Sequence, residues 1–260
     1  MDNILEIKNL HTYFYTENSI VKAVEGLNLS VKRGEALALV GESACGKTAT
    51  AYSVMQLVQA PGKIVEGQIF FAGKDLLKVS SRQMQNIRGK DMAIVFQEPS
   101  AALNPLYRIG FQIGEAIRFH DRKVTKPEQE KRVLELLAQV GIPEPESRIN
   151  DYPHQISGGQ AQRAVIAMAL SCNPKLLIAD EPTTSLDVTV QAQIMDLFTQ
   201  LKKEKNFTFI LITHNLALCS EVVDRIAIMY GGKIVEIGST KEIFNNPQHP
   251  YTKTLFSSCY

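Results

Sequence analysis

Eight residues, Gly41-Glu42-Ser43-Ala44-Cys45-Gly46-Lys47-Thr48, have the types and spacing to hold a nucleoside triphosphate. The glycines let the backbone turn its N–H groups toward one point, and such a concavity binds anions. A helix that follows adds its own unpaired amides and its dipole. In a loop of the G-x-x-x-x-G-K-[ST] type, Lys47 would reach the β- and γ-phosphates, and the Thr48 hydroxyl would coordinate Mg²⁺. A chance glycine turn would not need a strand before it and a helix after it. Here both are present: the apolar run Ala36-Leu37-Ala38-Leu39-Val40 precedes, and the helix-compatible run Ala49 to Met55 follows.

Two further groups could act on such a phosphate chain. Asp180-Glu181 closes the apolar run Leu176-Leu177-Ile178-Ala179. An acid at the carboxyl end of a strand faces the crevice where ligands gather in open α/β sheets. Asp180 is placed to hold Mg²⁺ through water, and Glu181 to polarise an attacking water. The competing structural role is an acidic helix start, capped by Thr183, Thr184 or Ser185. Ser157-Gly158-Gly159-Gln160 precedes a second helix-like run, Ala161 to Leu170, and offers a second anion site at its N-terminus. That is more phosphate-reading backbone than one nucleotide needs from one chain.

The surrounding pattern predicts the scaffold. Leu5 to Leu10 and Val24 to Val31 alternate like half-buried strands, with Arg33-Gly34 as the turn into the phosphate-loop strand. These pieces predict a small antiparallel β-subdomain around the nucleotide. Pro61-Gly62 marks a break, Gly67 to Lys74 reads as a short strand and turn, and Met92 to Gln97 as a compact strand ending on an amide. Between Glu98 and about Asn150 apolar residues recur at helical spacing, which predicts an inserted helical subdomain. Phe209-Ile210-Leu211-Ile212 is a buried strand, reached from the strand at 176–179 through an amphipathic helix, Val188 to Leu201. Ile226 to Met229 and Lys233 to Glu236 flank Gly231-Gly232 as a hairpin. The fold class expected is α/β: a P-loop NTPase core with a mixed or parallel sheet, an N-terminal antiparallel β-subdomain and an inserted helical subdomain. The expected boundaries are 1–97 with 166–240 for the ATP-binding core, 98–165 for the helical part and 241–260 for a tail.

Bulk properties narrow the class of function. A chain of 260 residues can bury a sizeable core. A net charge of +1 argues against a dedicated nucleic-acid surface. Four cysteines without a C-x-x-C pair, one of them inside the phosphate loop, point to a reducing compartment. The N-terminus lacks the basic and apolar regions of a signal peptide, and no apolar run is long enough to span a bilayer. If the work is done at a membrane, another chain is expected to do the spanning.

Taken in order, the sequence resembles the ATP-binding subunit of ABC transporters over nearly its whole length. The elements that carry the resemblance are the phosphate loop at 41–48, Gln97, Ile156-Ser157-Gly158-Gly159-Gln160, Asp180-Glu181, Ser185-Leu186-Asp187 and His214. The resemblance implies ATP and Mg²⁺ as ligands and a head-to-tail dimer, each ATP lying between one chain's phosphate loop and the other's Ser157 segment. That arrangement would use the surplus anion site. It implies further that Gln97 contacts Mg²⁺ and water, that Asp187 belongs to the nucleotide interface and that His214 touches the γ-phosphate. It also implies that an aromatic near the N-terminus stacks on adenine: Phe14 by its distance from the loop, with Tyr13 and Tyr15 as competitors. Three positions depart from the family pattern. Ala44 stands where a glycine is common, so its backbone must avoid positive φ or strain to reach it. Ile156 replaces a leucine and Thr48 the commoner serine.

Val95 to Pro105, Glu181 to Thr184, Asp187 to Gln193 and the tail His249-Pro250-Tyr251-Thr252 are similar to the di-/oligopeptide and nickel branch of bacterial importers. Members often carry clustered cysteines beyond that tail; here Cys259 stands alone and no iron–sulfur site is assigned. The function implied is ATP-driven solute import, of peptides or alternatively of nickel or a metallophore. A soluble ABC-type ATPase acting on nucleic acid or the ribosome is the rival of another class. The partners implied are a second, related ATPase chain or a second copy of this one, two membrane permease subunits and, indirectly, an extracytoplasmic solute-binding protein, with no nucleic acid. The place implied is the cytoplasmic face of the cell (inner) membrane, as a peripheral subunit.

Overall fold

The computed structural model describes residues 2–184, 186–205 and 207–259. Long strands come first: β1 (Asn3–Tyr15), β2 (Ile20–Lys32) and the short β3 (Ala36–Val40), followed by helix α1 (Lys47–Val54). Next come β4 (Gly62–Phe71), β5 (Lys74–Asp75) and α2 (Ser81–Ile87). Strand β6 (Met92–Val95) leads into α3 (Pro99–Ala102), α4 (Ile109–His120), α5 (Lys126–Gln139), α6 (Pro145–Arg148) and α7 (Gly158–Leu170). The chain closes with β7 (Leu176–Asp180), α8 (Val188–Lys205), β8 (Phe209–Thr213), β9 (Arg225–Tyr230), β10 (Lys233–Ser239), α9 (Thr240–Asn245) and α10 (Pro250–Cys259).

These elements fall into two units, residues 1–84 with 198–260 and residues 85–197. The first unit holds two sheets. An antiparallel sheet of order β2-β1-β4-β5 is the expected β-subdomain. β1 runs five residues beyond the expected strand end at Leu10 and takes in Tyr13, Phe14 and Tyr15, because β4 begins at Gly62 and pairs Gly62 with Phe14. The second sheet has β3 at its centre, parallel to β8 and to β9, with β10 antiparallel beyond β9. All five residues of β3 and all five of β8 are buried, as their unbroken apolar runs require. At the sheet's lower end Arg225 donates to the buried Glu35 carboxylate at 2.7 Å, while Glu35 accepts the Lys32 amide at 2.6 Å. A buried carboxylate needs such partners, and here they fix the turn that feeds β3.

The second unit is the helical insertion together with a parallel pair, β6 and β7, registered Met92 with Leu176 and Val95 with Ala179. α4, α5 and α7 pack through Ile113, Ile117, Val133, Leu137 and Val165, all essentially inaccessible. Thr125 starts α5 with a capping box: Thr125 and Glu128 each accept the other's backbone amide. Among the described residues no helix is long and apolar enough to cross a membrane.

Candidate functional site

The phosphate loop hangs between the carboxyl end of β3 and the start of α1. Its glycines are obligatory for different reasons. A Cβ on Gly41 would collide with the Met229 carbonyl and the Cys45 sulfur, and one on Gly46 with the Ala23 carbonyl. Gly46 also caps α1 at φ 110°, a region that L side chains avoid. Ala44 reaches φ 63° all the same. The strain expected of an alanine in this place is therefore present, and it sits in the loop where the backbone amides must converge.

Lys47 is buried at 4% exposure, and its ammonium donates to the Gly41 and Glu42 carbonyls, at 2.8 Å each. Cys45 lies against it, Sγ 3.9 Å from Nζ; burial pushes the thiol's pKa up, and the ammonium pulls the other way. Thr48 stands exposed in the first turn of α1, with Glu42, Ser43 and Ala44 exposed on the loop. The loop is held from outside as well. Gly232 in the β9–β10 turn donates to the Cys45 carbonyl at 3.0 Å, and Glu42 donates its amide to the Tyr251 hydroxyl at 3.1 Å.

β3 and β8 run in parallel register, Val40 opposite Thr213, so the loop and His214 leave the sheet at the same edge. His214 is exposed, which removes the alternative of a capped core histidine. Phe14 is half-buried with its ring against Gly62, where a Cβ would strike the ring. Tyr13 is committed elsewhere: its hydroxyl is 3.1 Å from His11 Nδ1, with the Lys22 ammonium over its ring. Tyr15 carries Lys63 over its ring.

In the second unit the β6–β7 register sets Gln97 opposite Glu181, and Gln97 Nε2 donates to the Glu181 carboxylate at 3.3 Å. Thr184 donates its hydroxyl to the same oxygen at 2.8 Å. Glu181 occupies the left-handed region, φ 45°, while Asp180 beside it is 3% exposed. A non-glycine residue in that region marks a backbone held in place by its surroundings. The cap of α8 comes from Asp187, whose carboxylate accepts the Val190 amide at 2.9 Å. The Thr184 hydroxyl is instead taken by Glu181, and the Thr183 carbonyl accepts from the Gln191 side chain in α8. Ser185 lies outside the described residues.

Ser157 and Gln160 form a capping box at the start of α7: Gln160 donates its amide to the Ser157 hydroxyl, and Ser157 donates its amide to the Gln160 side chain at 3.1 Å. The S-x-x-Q spacing therefore has a structural role of its own, independent of any anion. Gly158 and Gly159 occupy the first turn behind that cap. Sequence reasoning gave no chemical role to Tyr251 or Thr184. Thr184 was visible only as a candidate cap, and Tyr251 only as part of the tail pattern.

The ABC transporter family matches residues 24–184, and the oligopeptide/dipeptide transporter C-terminal region matches 235–260. The dipeptide transport ATP-binding protein DppD of Bacillus subtilis is 49% identical over 259 residues, 99% of this chain and 77% of that protein. The oligopeptide transport ATP-binding protein OppD of the same organism is 50% identical over 256 residues, 98% of this chain and 71% of that protein. Among solved structures, the dimeric post-hydrolysis state of the ATP-binding cassette MJ0796 bound to ADP and Pi superimposes with a TM-score of 0.82 at 28% identity, covering 91% of this chain and 98% of that one. CbiO1 from Clostridium perfringens, part of the ABC transporter complex cbiONQ, gives 0.79 at 28% identity, covering 95% and 92%.

Proposed function

The chain belongs to the ABC transporter family and is an ATP-hydrolysing subunit, and from that premise we propose that it powers import of di- or oligopeptides. It works as a peripheral subunit at the cytoplasmic face of the cell membrane, beneath two permease subunits that receive solute from an extracytoplasmic binding protein. The names of the relatives and the match of the C-terminal region support peptides over the alternative cargo, nickel or a metallophore.

The observation that carries the ATP reading is the cradle itself: a loop whose Gly41 and Gly46 admit no Cβ, with Lys47 buried behind it. In this reading the loop amides and Lys47 bind the β- and γ-phosphates, and Phe14 stacks on adenine. Glu181 takes the proton of the attacking water, oriented by Gln97 and Thr184 through the bonds to its carboxylate. His214 contacts the γ-phosphate. Thr48, Gln97 and Asp180 offer hydroxyl, amide and carboxylate oxygens, the donors Mg²⁺ prefers, and the ion would neutralise charge on the phosphate oxygens. Because such a transfer has a loose transition state, positioning and charge stabilisation account for most of the catalysis.

Ser157, Gly158, Gly159, Gln160 and Asp187 serve the ATP of a second ATPase chain, in a dimer that closes on ATP and reopens after hydrolysis. That chain is a related but different subunit. The permease contact is assigned to the helical insertion, where a cleft of about 760 Å³ between α4 and α5 is lined by Phe111, Arg118, Phe119, Glu130 and Val133. Phe111 and Phe119 expose more than half of their surface there, 53% and 58%, as residues awaiting a partner do.

The test is a paired measurement of ATP binding and turnover. Lys47→Ala should weaken binding, because a charge contact to the phosphates is lost. Glu181→Gln should bind ATP normally but turn over about 10²-fold or more slowly. Wild-type turnover by Glu181→Gln would remove Glu181 from the role of base.

A further inference from the structure

The C-terminal segment of the chain reaches back to the phosphate loop through one side chain. Tyr251 lies in the first turn of α10, and its hydroxyl accepts the Glu42 amide at 3.1 Å. Its ring packs on Tyr230 at the end of β9, centroids 4.4 Å apart. The turn that carries it is itself pinned: the Glu236 carboxylate on β10 accepts the Gln248 and His249 amides, at 2.8 and 3.0 Å, and Tyr251 donates its own amide to His249 Nδ1 at 3.2 Å.

The consequence follows from the planarity of one peptide bond. The Glu42 N–H and the Gly41 carbonyl belong to the same trans peptide unit and point in opposite directions across it. With the N–H directed at Tyr251, the carbonyl is directed away from it, and there it accepts from the Lys47 ammonium at 2.8 Å. The tyrosine and the lysine thus hold the two ends of one peptide plane. Burial, the largest influence on the Tyr251 hydroxyl, raises its pKa; the Glu42 carboxylate, Cys45 and Tyr230 add to the rise, while the Glu42 amide opposes it. The group is a neutral acceptor throughout the working range.

We propose that Tyr251 is a positioning residue of the nucleotide site: it fixes the Gly41–Glu42 peptide plane and through it the place of Lys47. This gives the C-terminal region a part in ATP binding. It rests on the reading of residues 41–48 as the ATP cradle. Because the loop binds phosphates before and during transfer alike, loosening it removes uniform binding, which shows in KM and not in kcat.

The experiment uses the full chain with Tyr251→Phe, which keeps the ring on Tyr230 and deletes one oxygen. ATP affinity is read by titration with a fluorescent ATP analogue, turnover by steady-state hydrolysis, and stability by thermal unfolding without nucleotide. The result expected is a Kd and KM raised about three- to tenfold with kcat within about twofold of wild type, the range for one lost neutral hydrogen bond. Unfolding temperature should be unchanged, and the Glu42 amide should exchange its hydrogen faster. Wild-type Kd and KM in Tyr251→Phe would overturn the proposal, as would a loss confined to kcat or to unfolding temperature. Lys47→Ala is the control: if it also binds like wild type, the cradle reading itself fails, whereas if it alone loses binding, only the role of Tyr251 does.

Discussion

At the scale of single residues, two backbone dihedrals of the candidate site, like five elsewhere among the described residues, lie in the left-handed region that L side chains seldom adopt. Ala44 at φ 63° and Glu181 at φ 45° each occupy a region that costs an L residue about 1–2 kcal/mol. Ala44 was legible as a place of strain from its type alone, since it stands where the loop pattern favours glycine. Glu181 was not, because its position follows from the β6–β7 register and from Thr184, a contact no spacing rule describes. The shared oxygen suggests a graded effect. Thr184→Val should leave ATP KM close to wild type and lower kcat by about tenfold, less than Glu181→Gln does, because one orienting bond is lost and the base remains. A steady-state KM and kcat comparison of the two variants checks this. A Thr184→Val kcat equal to wild type would leave Gln97 as the orienting group.

At the scale of elements, strands were read more easily than the ties between them. Leu37 to Val40 and Phe209 to Ile212 announce themselves as buried strands by unbroken apolar runs. β4 was longer than its pattern, starting at Gly62 where a glycine permits the close approach of Phe14. The tail was recognisable as a pattern, yet its attachment was invisible, because Glu236 and His249 meet only in three dimensions. That attachment makes a pH prediction. Burial alone would raise the Glu236 pKa, but the Gln248 amide, the nearby Thr252 hydroxyl, the His249 amide and the His249 ring together outweigh it and hold the value below the usual 4.5. A lowered folded-state pKa means stabilisation that is present above 4.5 and is lost as pH falls through the folded value. Acidification below the ordinary carboxylate range should therefore release the first turn of α10 before the β3 sheet. Hydrogen exchange, corrected for its intrinsic pH dependence, should show α10 losing protection on acidification. Glu236→Gln should show weaker protection already at neutral pH and no acid step. An acid step of equal size in that variant would assign the titration elsewhere.

At the scale of the whole molecule, the chain carries a glycine cradle with a buried lysine, an acidic pair, a capped helix start at Ser157 and a cleft with exposed phenylalanines, and among the described residues no helix is long and apolar enough to cross a membrane. Such an inventory suits a motor that pushes on other subunits. The class was legible because its motifs are local runs of sequence; peptide cargo, with nickel as the alternative, was legible only as a resemblance carried by stretches such as the His249-Pro250-Tyr251-Thr252 tail, which the C-terminal region match and the named relatives support. The central claim is that ATP hydrolysis by this chain drives peptide uptake through permeases docked on the helical insertion. The direct measurement is uptake of a labelled dipeptide by cells lacking the chain, complemented with wild type, Glu181→Gln or Phe119→Asp. Wild type should restore uptake and Glu181→Gln should not. Phe119→Asp should keep the purified chain's ATPase while uptake falls at least about tenfold. Restoration of dipeptide uptake by Glu181→Gln, or of nickel but not dipeptide uptake by wild type, would contradict it.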